Sequence, residues 1–318
     1  MPMYSNDNRP GSTNNLISSS NRTINLIGAA TSRGCLIPGC EQAPEKLLEL
    51  HLTERLKNQG INSHWQAIHK ISDNERTIEA TAQLGTLVSA EVNKALSQQQ
   101  FFAVIGGDHS CAIGTWSGIY QARQGQPFGL IWIDAHMDSH TPHSSHSGAL
   151  HGMPLACLLG FGPPSLVQLS DTQTTPVLNP DHLCVLGVRS YESEEAELLD
   201  TLGVRVITMA EIQRLGIAKT MQEAITIASR AGEFGLSFDL DALDPSVAPG
   251  VSTPVPNGIN ESALNTALTM LAHTDCLLGV EIAEFNPLFD QQHKTAHLIG
   301  SILAACTPTN SPKHGVSS

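Results

Sequence analysis

The stretch "LIWIDAHMDSH" (130–140) constrains this chain more than any other. Four apolar residues suited to a buried strand run directly into Asp134, His136 and Asp138. Three ionisable side chains beside a core are costly unless something offsets their desolvation. A bound cation is the simplest such partner. Side chains at i, i+2 and i+4 of an extended segment share one face. All three can therefore point the same way while the backbone stays extended.

The pattern recurs along the chain. "VIGGDHS" ends in Asp108 and His109, "LSFDLDALDP" in Asp239, Asp241 and Asp244, and "EIAEFNP" in Glu284. Strands are expected near 23–30, 63–69, 101–107, 128–135, 182–188, 204–208, 234–240 and 276–285. Helices are expected over 42–58, 74–98, from about 110, over 193–203 and over 292–306. Short apolar strands alternating with helices specify an α/β fold, a mainly parallel sheet with helices on both faces. The carboxyl ends of such strands form the ligand crevice, so these distant residues converge. No linker divides 23–306, which reads as one domain. The Ser- and Asn-rich segment 1–22 reads as disordered, and 307–318 as a flexible tail.

Two histidines and four aspartates (His109, His136, Asp134, Asp138, Asp239, Asp241) carry too much negative charge for one divalent ion. They suit two ions that share carboxylates, about 3.5–4 Å apart. The absence of thiolates argues against structural zinc. A carboxylate-rich set with some imidazole fits manganese best, with cobalt, nickel or iron as alternatives. A single "DAH" or "DLD" carries little weight, because aspartates at strand ends are commonly caps or turn residues. It is their convergence that points to metal. Asp108 and Asp244 read as structural.

Charge narrows the partners. The net charge of −13 argues against nucleic acid and anionic membranes and is compatible with a small cationic substrate. The seven cysteines are scattered, odd in number and without a CxxC. They read as small buried hydrophobes in a reducing compartment. The N-terminal segment lacks a signal-peptide apolar core and no run reaches membrane-spanning length, so a cytoplasmic location is expected.

Together, "GGDHS", "DAHMD", "SFDLDALDP" and "EFNP" resemble the four signature blocks of the ureohydrolases, the arginase and agmatinase superfamily, from about residue 24 to 306. "SGALHGMPLA" (147–156), "LGVRSYESEEAELL" (186–199), "RLGIAKTMQEA" (214–224) and "APGVSTPVPNG" (248–258) are similar to the arginase branch, the last to bacterial arginases. The resemblance implies a three-layer α/β/α sandwich, a homotrimer or homohexamer, and two Mn²⁺. It assigns His109, Asp134, Asp138 and Asp239 to one ion, and Asp134, His136, Asp239 and Asp241 to the other. The implied reaction takes L-arginine and water to L-ornithine and urea, by attack of a metal-bridging hydroxide. Glu284 would bind the guanidinium through directional N–H donors. Asp138 would take the hydroxide proton, His151 would shuttle a proton, and Thr253 would line the pocket.

The resemblance thins in the loop after "DAHMD". Arginases typically place two asparagines there for the substrate α-carboxylate. This chain has His140 and Ala149 at those positions, and keeps hydroxyls at Ser145 and Ser147. One amide donor is gone, worth roughly 0.5–1.5 kcal/mol of net hydrogen bonding. Glu192, where the family usually has Asp, and Glu195 would face the α-amino group; the alternative is that both are glutamates of a helix start. An accessory metal site at His140, His143 and His146 is weighed against the default of polar loop residues. Two other functions stay open. One is hydrolysis of another guanidine compound such as agmatine or guanidinobutyrate. The other is a non-catalytic binding protein, against which the complete ligand set argues.

Overall fold

Strands dominate the centre of the computed structural model, which describes residues 22–71, 78–170 and 176–308. They are β1 (Arg22–Ala30), β2 (Ile61–Lys70), β3 (Phe102–Gly106), β4 (Gly129–Ile133), β5 (Leu183–Val188), β6 (Arg205–Thr208), β7 (Phe234–Asp239) and β8 (Leu277–Ala283). Among the described residues they form one 8-stranded sheet in the order β2-β1-β3-β8-β7-β4-β5-β6. Every neighbouring pair is parallel.

Helices cover both faces. The longer or better packed ones are α1 (Ala43–Glu49), α2 (Leu52–Lys57), α3 (Ile78–Ser97), α4 (Ala112–Ala122), α5 (Pro154–Leu158), α6 (Pro164–Val167), α7 (Ser193–Thr201), α8 (Met209–Leu215), α9 (Ile217–Ala228), α10 (Glu261–Leu271) and α11 (Lys294–Cys306). Alternation along the strands sorts them into layers. Ala103, Ile105, Ile131, Ile133, Leu236 and Phe238 pack with α1, α2 and α8–α11. Phe102, Val104, Leu130, Trp132, Leu183 and Val185 pack with α3, α4, α5 and α7. The result is the three-layer α/β/α sandwich that the sequence leads one to expect. Strands buried on both faces read as nearly continuous apolar runs, which is why they stand out in the sequence.

Some boundaries differ from expectation. The helix expected over 42–58 is two helices, broken where His51 adopts φ 53°. The helix expected over 74–98 begins at Ile78, with 74–77 outside the described residues. Helices α8, α9 and α10 add to the expected set; Gly216 at φ 84° separates the first two. Strand β1 starts at Arg22, whose guanidinium donates to the carbonyls of Ala304 and Thr307. Residues 1–21 and 309–318, where disorder and a flexible tail are expected, lie outside the described residues. No helix among the described residues is long and apolar enough to cross a membrane.

The register sets the level at which the functional loops leave the sheet. Ile133 pairs with Phe238, and Asp239 with Ala283, so Asp134, Asp239 and Glu284 emerge along one edge. The turn after β3 joins them because Gly107 donates to Ala29 O at 2.8 Å and accepts from Glu284 N at 2.8 Å. A Cβ at Gly107 would lie 1.7 Å from Thr31 O, so only glycine permits that approach.

Candidate active site

Four buried side chains meet beyond the ends of β3, β4 and β7. His109 Nδ1 lies 3.0 Å from Asp138 Oδ2, 3.0 Å from Asp239 Oδ2 and 3.3 Å from Asp134 Oδ2. A second group adjoins it. His136 Nδ1 stands 3.2 Å from Asp241 Oδ2 and 3.4 Å from Asp134 Oδ1. Asp134 belongs to both groups, one oxygen facing each. Asp239 belongs to the first alone; its Oδ1 accepts the Asp241 N–H at 2.8 Å. Asp134 thus stands between the two groups, and the second oxygen of Asp239 faces the backbone of Asp241 in the other group.

The loops arrive differently from the extended geometry expected. β4 ends at Ile133, and Asp138 sits at φ 47°, a left-handed turn that swings its carboxylate back toward His109. Asp239 closes β7 and caps the tight turn Leu240–Ala242, which carries Asp241. Turns, not a continuing strand, gather these carboxylates.

The electrostatics are those of a cation site. Burial and the neighbouring Asp134 push the Asp138 carboxyl up to about 8. Burial, with Asp241 and Asp134, also raises Asp239. Burial opposes charging of His109 and His136, but the surrounding carboxylates prevail and hold both imidazoles well above their usual range. Burial likewise opposes charge on Asp134, yet His109 and His136 hold its carboxyl low. His109 Nδ1 and Asp138 Oδ2 are buried without a hydrogen-bond partner, although 3.0 Å apart. Carboxylate oxygens and an imidazole nitrogen that converge on one point, with protons as the only positive charge between them, fit a divalent metal centre.

Next to this cage lies Glu284, buried and held at φ 65°. Its Oε1 accepts from His109 N at 2.9 Å and sits 3.1 Å from His151 Nδ1. Burial opposes its ionisation, but His151 and the His109 N–H keep the carboxyl below its usual range. Burial opposes protonation of His151 as well, yet Glu284 pushes it up to about 10. The Thr253 hydroxyl donates to Asp241 Oδ2 at 3.0 Å. Thr253 is therefore held beside the second group, half-buried.

The rim loop is self-satisfied. His140 Nε2 lies 2.9 Å from Glu192 Oε2 and 3.6 Å from Glu195 Oε2. Glu192 and Glu195 form the capping box of α7, and Glu195 also accepts from Ser139 N at 3.2 Å. Both glutamates stand at the helix start, and Glu192, 57% exposed, presents its carboxylate to solvent. Ser145 and Ser147 accept from Gly148 N and Ala149 N at 3.0 and 3.2 Å. His140 groups with the two glutamates; among the described residues no cluster joins it to His143 or His146. A cavity of about 360 Å³ opens against Arg33, Leu36, Ser147, Ala149 and Met153.

Asp108 and Asp244 are structural, as the sequence suggests. Asp108 accepts from Gly34 N at 2.8 Å and from Ser110 N at 3.0 Å. Asp244 accepts from Ser246 N and Asn257 N. Other supporting residues escaped the sequence reading. Trp132 Nε1 donates to Asp134 Oδ2 at 2.9 Å, and its ring stacks on His109 at 4.3 Å. Arg189 spans the carbonyls of Asp241, Ala242 and Val255. Ser237 and Glu281 stand behind His109. The signal for Ser237 was present: it precedes Asp239 by two and so shares its face. Of the cysteines, all but Cys276 are buried and all are free thiols, but Cys111 is more than a small hydrophobe, since it donates to Glu281 Oε1 at 2.8 Å.

Known proteins carry the same arrangement of chain. The family model described as "Arginase family" matches residues 22–307. Arginases of Bacillus subtilis (strain 168) and Bacillus caldovelox are 37% and 34% identical over 283 and 295 residues. These alignments cover 86% and 89% of this chain, and 94% and 97% of the two relatives. The crystal structure of arginase from Bacillus subtilis has a TM-score of 0.83 at 35% identity, covering 90% of this chain and 98% of that one. With a metal-competent cage at the carboxyl ends of the central strands and a match along nearly the whole described chain, this protein belongs to the arginase family of ureohydrolases.

Proposed function

We propose that this chain hydrolyses the guanidinium of L-arginine to L-ornithine and urea. The observation that carries the reading is Glu284, a buried carboxylate beside the cage that already holds one N–H cation, His151, at 3.1 Å. A guanidinium is the same kind of partner, planar and rich in N–H donors.

His109, Asp134, Asp138 and Asp239 would hold one ion and Asp134, His136, Asp239 and Asp241 the other, with Mn²⁺ the metal that this donor set suits. Bound there, the ions supply a nucleophile at neutral pH by lowering the pKa of water. Glu284 takes the guanidinium and orients its carbon toward the cage. Substrate replaces His151 at that carboxylate, and the released imidazolium donates its proton to the departing amine. Asp138 accepts a proton through the carboxylate oxygen that does not face the cage. Thr253 keeps Asp241 turned inward. His140, Ser145, Ser147, Glu192 and Glu195 meet the α-amino and α-carboxylate groups. Residues 23–306 act as one catalytic domain, within a homotrimer or homohexamer in the cytoplasm, without nucleic-acid or membrane partners.

A second reading has its own support. Ala149 offers no donor and His140 occupies Glu192, so a guanidine compound lacking one or both α-groups loses less at this rim. Urea release from the Mn²⁺-loaded protein, compared across L-arginine, agmatine and 4-guanidinobutyrate, decides between them. The expected result is fastest turnover of L-arginine. Preference for another guanidine would move the substrate assignment and leave the chemistry in place.

A further inference from the structure

Glu281 is a fully buried carboxylate in the middle of β8 that the mechanism above does not use. It pairs in register with Ser237 on β7. The Ser237 hydroxyl donates to Glu281 Oε2, and Cys111 Sγ donates to Glu281 Oε1 at 2.8 Å. His109 Nε2 lies 2.9 Å from Ser237 Oγ, and 3.6 Å from Glu281 Oε2 itself. The other face of the imidazole is fixed by Trp132, stacked at 4.3 Å and 20°. His109 is thus held from behind by a line that runs from histidine to serine to carboxylate, entirely inside the protein.

That line has a direction. A carboxylate only accepts hydrogen bonds, so the Ser237 proton must point at Glu281. The Ser237 oxygen then accepts from His109, which places a proton on Nε2. The Nδ1 lone pair is left facing Asp134, Asp138 and Asp239, where a cation ligand needs it. Reversing the line would put the proton on Nδ1 and close that ligand position. Carboxylates behind metal-ligating histidines commonly fix the tautomer and raise ligand basicity in this way. Here a serine is interposed.

We propose that Glu281, acting through Ser237, is the positioning residue that turns the His109 Nδ1 lone pair toward the metal. The proposal rests on the metal-centre reading. It predicts a selective effect, because His109 belongs to one group of ligands and His136 to the other. Glu281→Gln removes the charge and lets either end of the amide face Ser237, so the direction is no longer imposed. Ser237→Ala cuts the line with a smaller change of volume, which keeps the test alive where Glu281→Gln fails to fold.

The test is a Mn²⁺ titration of the metal-freed full chain, followed by electron paramagnetic resonance and by counting bound metal. Melting of the metal-free forms is recorded alongside. The unsubstituted chain is expected to fill both positions and give the signal of an exchange-coupled pair. In Glu281→Gln and Ser237→Ala, one ion should bind about 10–100-fold more weakly. At stoichiometric metal the signal should be that of isolated Mn²⁺, with metal-free melting of Ser237→Ala near that of the parent. Equal affinity for both ions in parent and variants would overturn the proposal. So would equal weakening of both ions together with lower metal-free melting, the mark of a merely structural role. Failure of the unsubstituted chain to bind metal would instead remove the metal-centre reading, and this proposal with it.

Discussion

The guanidinium of Arg189 donates to the carbonyls of Asp241 at 2.8 Å, Ala242 at 3.1 Å, Val255 at 2.6 Å and Pro256 at 3.1 Å. It thereby ties the turn that carries Asp241 to the loop that carries Thr253. A lysine ammonium is a point charge without the planar fork and cannot span these acceptors. Arg189→Lys should cost about 1–2 kcal/mol, since these hydrogen bonds are only partly buried and each is worth about 0.5–1.5 kcal/mol net. Urea denaturation checks this; an unchanged midpoint would show the carbonyls satisfied by other means. His151 calls for a kinetic measurement. Removing a group that donates a proton to the leaving amine should lower kcat by about 100- to 10,000-fold with a small change in KM. His151→Asn with unimpaired kcat would place the proton transfer elsewhere.

At the scale of elements, the start of α7 is joined to the rim loop. Glu195 accepts from Glu192 N at 3.0 Å within the capping box and from Ser139 N at 3.2 Å outside it. Glu195→Ala should therefore destabilise the fold by about 1–2 kcal/mol, through a lost cap and a stranded N–H. It should also raise KM for L-arginine more than for agmatine, because His140 and Glu192 lose their backing. Equal KM changes would mean that the rim does not read the α-carbon groups. The same element shows what a sequence can and cannot convey. Glu192 and Glu195 were visible as candidates, and so was a helix beginning there. Which role their carboxylates take depends on where Ser139 comes to rest. Strands were legible because burial on both faces forces long apolar runs. Asp134, Asp239 and Glu284 followed from that, being charged residues at or just past the end of each strand. The left-handed turn at Asp138 was not legible, because no glycine marks it. Nor was the break at His51, for the same reason. Glu281 lay hidden because its partners Ser237 and Cys111 come from other segments and meet it only through strand order.

Across the whole molecule, two ties of different kind hold the sheet, one to a helical layer and one between strand ends. Arg205 at the edge strand β6 pairs with Glu223 of α9 at 2.7 Å and with Glu211 of α8. Its guanidinium holds the Glu211 carboxyl below the usual range. A carboxyl depressed in the folded state contributes stability above its unfolded pKa and loses it as pH falls through the folded value. Arg205→Met should thus lower stability by about 1 kcal/mol at pH 7, and the gap should close below roughly pH 4. A gap independent of pH would mean that lost side-chain packing, not charge, sets the cost.

The cage is the other tie, since His109, Asp134 and Asp239 stand at the ends of three different strands of the sheet centre. A ligand bound only by the folded state stabilises it by RT ln(1 + [L]/Kd), about 2.7 kcal/mol at 100-fold excess over Kd. The metal-loaded protein should therefore melt several degrees above a chelator-treated sample, and the difference should grow with the logarithm of free Mn²⁺. Asp134 faces both ligand groups, so Asp134→Asn should remove most of that dependence, whereas a substitution at Asp244, whose carboxylate serves its own turn, should leave it intact. Melting curves that coincide with and without chelator would show that the buried carboxylates and imidazoles are balanced by protons alone, and the cage would have to be read as a structural network.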